Sequence, residues 1–246
     1  MQNPLNSEDS LHSGSRYLLF NKEYIAEFVY GGIDGAITTF AVVSGAAGAH
    51  ADLKWVLIFG FANLIADGFS MSVGNFFSSR AEKDNFERHK AIEYWEIENM
   101  RDLEVQEIRD IYAAKGFKGE LLDQVVEVIT SNEDVWVDTM MKEELEMTKD
   151  QRTPFKTAFA TFMSFNLIGI IPLLIYLVAV FVDIERNNLF LGSCIMTGIA
   201  LMFIGNLKAV VTETSRWRAI WETLLLGGVA AGLAYFVGDI LAKYLL

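Results

Sequence analysis

Residues 54–79 run apolar for long enough to cross a bilayer, yet Asn63, Asp67, Met71 and Asn75 recur at every fourth position inside that run. On a helix this spacing stacks an amide, a carboxylate, a thioether and a second amide on one face. A lone carboxylate at mid-bilayer costs roughly 2.5–3.5 kcal/mol on insertion scales, so it has to face a partner helix or a wet cavity. A chain with such a stripe is driven toward a helical membrane bundle with a polar seam. The default reading of that seam is an ion path.

Composition divides the chain. It is 52% hydrophobic, too apolar for an ordinary soluble domain, yet 21% charged with a net charge of −12. The charge is concentrated in residues 80–152, which hold 20 of the 32 acidic and 11 of the 20 basic residues, a net of −9. An apolar membrane part is therefore interrupted by one acidic polar insert. Such an insert suits cations and argues against nucleic acid, whose recognition needs a basic surface. Cys194 is the single cysteine, so no intrachain disulfide is expected. The first 20 residues are polar and lack the compact apolar core of a cleavable signal peptide, and residues 1–21 read as a disordered cytosolic segment.

The expected fold is all-α, an integral membrane protein with five transmembrane helices and a three-helix cytosolic insert between the second and third. Residues 22–79 supply the first two spans, 80–152 the acidic metal-binding insert, and 153–246 the last three spans. The first span, from Ile25 to about Ala49, is dense in small residues. Gly31 and Gly35, like Ser44 and Gly48, make small-xxx-small steps that let helix backbones approach closely. Glu27, Asp34 and Thr38 share a face of this helix, a second polar stripe; the bland alternative for Asp34 is a structural pairing with Lys or a backbone group. With no Gly or Pro between Asn75 and Lys115, the second span is expected to continue as one helix to about Tyr112. Gly116–Gly119 ends it, and helices follow over 120–130 and about 133–149. The third span is expected over about 155–182, and the last two over 189–211 and 219–242.

Flanking charge orients the spans. One side receives Arg16, Lys22, Arg80, Lys83, Arg88, Arg152, Lys156, Lys208, Arg216 and Arg218, the other only Lys54, Arg186 and Lys243. The first side is therefore expected to be cytosolic, which hangs the insert in the cytosol.

Within the insert, Glu93-x2-Glu96 is repeated eleven residues later as Glu104-x2-Glu107. Eleven residues make about three turns, so on one straight helix both pairs point the same way, about 16 Å apart along the axis. That is too far for one ion, so more than one site is expected. Met140, Met141 and Glu144 are close in register on the third insert helix. Clustered carboxylates repel unless cations bridge them or water screens them, and carboxylate with thioether suits a divalent first-row metal. The bland alternatives are a solvated acidic helix face and, for Met71, plain helix packing.

These residues together resemble the vacuolar iron transporter family of divalent-metal transporters. The resemblance runs from Glu23 onward. It is carried by Asp34-Gly35 in a small, polar first helix, by Ser70-Met71 in the second, and by Glu93, Glu96, Glu104 and Glu107 with Met140-Met141-x2-Glu144. It implies a homodimer whose pathway runs between the two first helices, beside the second. The resemblance further implies Fe²⁺, often with Mn²⁺ or other divalent metals, moved out of the cytosol in exchange for protons, with no prosthetic group. Asp34 and Met71 would then line the pathway, and the insert glutamates and methionines would hold metal. One departure stands out. Plant members of the family carry a glutamate eight residues before the methionine, where this chain has Asn63. Asp67, one turn along the same face, is positioned to take over its carboxylate role. The membrane would be the cell membrane in a prokaryote, or a vacuolar or other acidic-compartment membrane in a eukaryote.

Two rivals stand beside transport. A di-iron ferroxidase would use Glu-x-x-His on paired helices, and no Glu-x-x-His occurs in this chain. A metal-sensing or scaffold membrane protein without flux would have no use for intramembrane Asp34 and Asp67.

Overall fold

The computed structural model describes residues 24–245, so the expectation for residues 1–21 lies outside it. Those residues form nine α-helices: α1 (Ile25–Gly48), α2 (Leu53–Asn99), α3 (Arg101–Ala114), α4 (Glu120–Thr130), α5 (Glu133–Glu143), α6 (Pro154–Gly169), α7 (Ile171–Val178), α8 (Arg186–Thr212) and α9 (Arg216–Leu245). The chain divides into two compact units. One comprises the chain up to Phe76 and from Arg152 onward, the other Phe77–Gln151.

Four helices of the first unit are long and apolar enough to cross a membrane: α1, α2, α8 and α9. The pair α6–α7, expected as one helix over 155–182, is apolar enough to make a fifth span if it counts as one, but it is turned by 43° at Ile170. The cause is Pro172 in the first turn of α7. Its missing N–H and its ring break the ladder with the preceding turn.

Helix α1 lies against α6, α7, α8 and α9. Its small residues permit this. A Cβ on Gly35 would overlap the Phe165 carbonyl of α6, and one on Gly48 would overlap the Tyr235 carbonyl of α9. Apolar side chains fill the space between these close approaches. One cluster joins Ala36, Ile168, Ala200, Leu201 and Ile204, and another joins Val43, Val56, Leu173, Tyr176 and Leu189. Gly35→Val is expected to cost about 2–3 kcal/mol by overpacking, a fall in melting temperature of roughly 5–10 °C in detergent. Gly45→Ala, whose Cβ would lie an ordinary 3.4 Å from the Ala234 carbonyl, is the near-neutral control.

The insert corrects the expectation of one unbroken helix to Tyr112. Helix α2 stops at Asn99, and Met100, at φ −129°, starts α3. No helix breaker demands this corner; burial does. Ile97 before it and Ile108 after it enter the same core, with Leu122, Val126, Ile129, Trp136 and Val137. Burying each such side chain contributes roughly 1.5–3 kcal/mol, more than the helix bonds lost at one corner. Arg101 braces the turn, its guanidinium 5.0 Å from the Trp136 ring centroid. The insert thus holds four helical segments, the end of α2 with α3, α4 and α5, in place of three. Gly116, at φ +100°, makes the turn into α4. Asn132 caps α5, accepting hydrogen bonds from the Asp134 and Val135 amides. Helix α5 ends at Glu143, short of the expected 149.

Candidate functional site: a membrane seam and an acidic insert

Within the spans, the fully buried face of α2 carries Gly60, Leu64 and Gly68, which meet Leu173, Gly169 and Phe165 of α6–α7. The polar stripe is offset from this face by one residue. Asn63, Asp67, Met71 and Asn75 are accordingly half-buried, at the edge of the contact. Asn75 Nδ2 donates to Thr161 Oγ1 at 2.7 Å, which ties that end of the stripe to α6. Asn63 Nδ2 is buried with no hydrogen-bond partner. Asp34 of α1 and Asp67 of α2 are close enough for each carboxylate to feel the other's charge. Two carboxylates from different spans thus share one neighbourhood in an apolar setting. Thr38 Oγ1 donates to the Asp34 backbone carbonyl at 2.9 Å, so its proton serves the helix while its lone pairs stay available.

Sequence reasoning missed one buried pair. Glu27, 8% exposed, is bonded to Arg152, with its second carboxylate oxygen left unpartnered. The signal was present in two halves. Glu27 shares a stripe with Asp34, whereas Arg152 had counted only as a flanking charge.

In the insert, the corner at Met100 removes the geometry of two glutamate pairs separated along one axis. Glu93 now has Glu144, Glu104, Glu96 and Glu107 as electrostatic neighbours. Glu93 and Glu104 are 3% and 4% exposed, and each has one carboxylate oxygen buried without a partner. Buried carboxylate oxygens without donors are costly unless a cation meets them. Among the described residues, no three His, Cys, Asp or Glu side chains form a group that could hold one ion as placed. The glutamates interact electrostatically without forming a ready-made set of three ligands. Met140 and Met141 are both buried, within the apolar core beside Trp136.

Burial first, then the neighbouring carboxylates, pushes Glu93 and Glu104 up to about 7 from an ordinary 4.5. Glu107 and Glu144 are raised for the same reasons. A raised pKa in the folded state means that folding takes up protons. The stability these groups contribute is complete below the unfolded value and is lost as pH rises through about 7. Amide hydrogen-exchange protection in the insert of the metal-free full-length chain, taken relative to the base-catalysed intrinsic rate, is therefore expected to fall between about pH 5 and pH 8, and added divalent cation is expected to raise it again.

Apolar helices that carry carboxylates, interrupted by a compact acidic helical unit, define a polytopic α-helical membrane protein. Residues 25–239 match the VIT family, and the chain belongs to it. Members of that family are transporters, not enzymes. The chain is similar to the vacuolar iron transporter of Toxoplasma gondii, 34% identical over 227 residues that cover 90% of this chain and 75% of that protein. It is likewise similar to the vacuolar iron transporter of Plasmodium falciparum, 33% identical over 227 residues, 90% and 83% of the two chains. Vacuolar iron transporter 1 of Arabidopsis thaliana is 28% identical over 219 residues, 89% and 86%.

Proposed function

We propose that this chain transports divalent first-row metal, Fe²⁺ and with it Mn²⁺, out of the cytosol in exchange for protons. The observation that carries the reading is that two half-buried carboxylates, Asp34 and Asp67, lie within apolar helices long enough to cross a membrane. Two carboxylates in low dielectric repel each other, and a dication between them relieves that repulsion. The iron in the names of the relatives supports the choice of metal.

The sequence of events has three steps. The insert, which the flanking Lys and Arg orient toward the cytosol, collects M²⁺ on Glu93, Glu96, Glu104, Glu107 and Glu144, drawing carboxylates together that otherwise repel. Met140 and Met141, buried in the core of the same unit, are the candidates to add thioether to that set. Asp34, Asp67 and Met71 then replace part of the ion's water shell, with Asn63, Asn75 and Thr38 offering neutral oxygen. Re-protonation of the carboxylates from the acidic side releases the ion. Thioether ligation disfavours Mg²⁺ and Ca²⁺, which prefer oxygen alone. A homodimer completes the pathway, because one copy presents only two carboxylates to the ion. The membrane is the cell membrane or that of a vacuole or similar acidic compartment.

Anaerobic addition of Fe²⁺ to proteoliposomes tests the flux directly. Lumenal Fe²⁺ should rise well above that in protein-free vesicles. Tight Fe²⁺ binding with no lumenal rise would mark a sensor and overturn the reading.

A further inference from the structure

Beyond the metal pathway, the first unit contains a groove of about 370 Å³ between α1 and α6. Its walls are Phe28, Phe155, Phe159, Met163 and Leu167. The Phe155 and Phe159 rings lie nearly parallel, 13° apart with centroids separated by 6.4 Å. Both are largely exposed, at 69% and 55%. These residues belong to the apolar pair α6–α7, so in a membrane hydrocarbon chains are what surrounds them.

One end of the groove is chemically different. Among the described residues, Lys156 is the one charged residue of its lining, and it stands in the first turn of α6. Tyr24 lines the same end, and its phenolic oxygen accepts the Thr153 amide at 3.1 Å, which leaves the phenolic proton to be donated. Pro154 begins α6 and no side chain caps it, so the helix presents its positive end there. The nearby carboxylate Glu27 is neutralised by Arg152. An apolar slot closed at one end by an ammonium, a hydroxyl donor and a helix N-terminus is complementary to an acyl chain carrying a phosphate.

We propose that this groove is a binding site for an anionic phospholipid. One acyl chain lies along Phe28, Phe159, Met163 and Leu167. The phosphate sits on Lys156 and the Tyr24 hydroxyl. A zwitterionic lipid brings its own cation to the same end and is held less well, since a basic residue near the membrane favours net negative lipid.

Native mass spectrometry of the full-length chain, titrated in detergent with phosphatidylglycerol or phosphatidylcholine, tests this. The wild-type protein should retain phosphatidylglycerol about fivefold more tightly than phosphatidylcholine. Lys156→Gln, a change at an exposed side chain, should abolish that preference, and Lys156→Arg should restore it. Ala160→Trp, which fills the slot, should lose both lipids while the variant keeps its size-exclusion profile and its metal binding. Equal retention of the two lipids by the wild type would overturn the proposal, as would undiminished phosphatidylglycerol retention by Lys156→Gln. If Ala160→Trp instead changes the oligomeric state and leaves lipid retention intact, the groove seats a second copy of the chain and the proposal is wrong.

Discussion

Asp67→Asn is expected to lower metal flux on the order of tenfold or more and to flatten its dependence on pH, while the protein still assembles. The change keeps the shape of the side chain and removes only its charge. In low dielectric, one of two carboxylates beside a dication is worth several kcal/mol of attraction before desolvation is counted, and a net remainder of about 1.4 kcal/mol already gives tenfold. Asp34→Asn should lose flux on a similar scale for the same reason. Asn63→Ala should cost less, since it removes a neutral amide whose Nδ2 has no partner to lose. The comparison is made by rapid-mixing uptake into proteoliposomes at several lumenal pH values. Normal transport by Asp67→Asn with an unchanged pH profile would show that Asp67 is not the proton-linked acid of the pathway.

The second large effect has two signs. The double substitution Glu93→Gln and Glu104→Gln removes the two most buried acids of the insert. Without metal, the variant should be more stable than the wild type near pH 8, because the wild type must there hold charge on both groups. With metal, it should bind Fe²⁺ or Mn²⁺ roughly tenfold to a hundredfold more weakly. Titration calorimetry and hydrogen exchange on the same samples read the two outcomes. A variant that is both less stable and normal in metal binding would make these glutamates structural.

Much of the membrane part is legible in the residues alone, because bilayer physics restricts it. Long apolar runs can only be helices, and Gly31, Gly35 and Gly48 mark where backbones touch. The four-residue stripe from Asn63 to Asn75 also shows which face of α2 is polar. What the stripe does not reveal is its offset by one residue from the packed face, which depends on where α6 and α7 lie. The bend at Ile170 could be read from Pro172 only if the bilayer did not favour one straight span.

The insert is less legible, because its corner has no local cause. Nothing between Glu96 and Glu104 breaks a helix by type. Helix α2 ends there because Ile97 and Ile108 must share one core with Trp136, a contact between residues far apart in the chain. Local propensity speaks for continuation and tertiary burial overrides it. That single corner turns two separated glutamate pairs into one electrostatic group. The four glutamates were identifiable by their repeat, but their arrangement was not.

Simultaneous recording of metal entry and lumenal pH in proteoliposomes tests the central claim most directly. With an acidic lumen, Fe²⁺ and Mn²⁺ should enter faster than without a gradient, and lumenal pH should rise in step with metal uptake. Both signals should be lost together in Asp34→Asn. No flux of either metal under the gradient, or metal entry with no accompanying proton movement, would contradict the account.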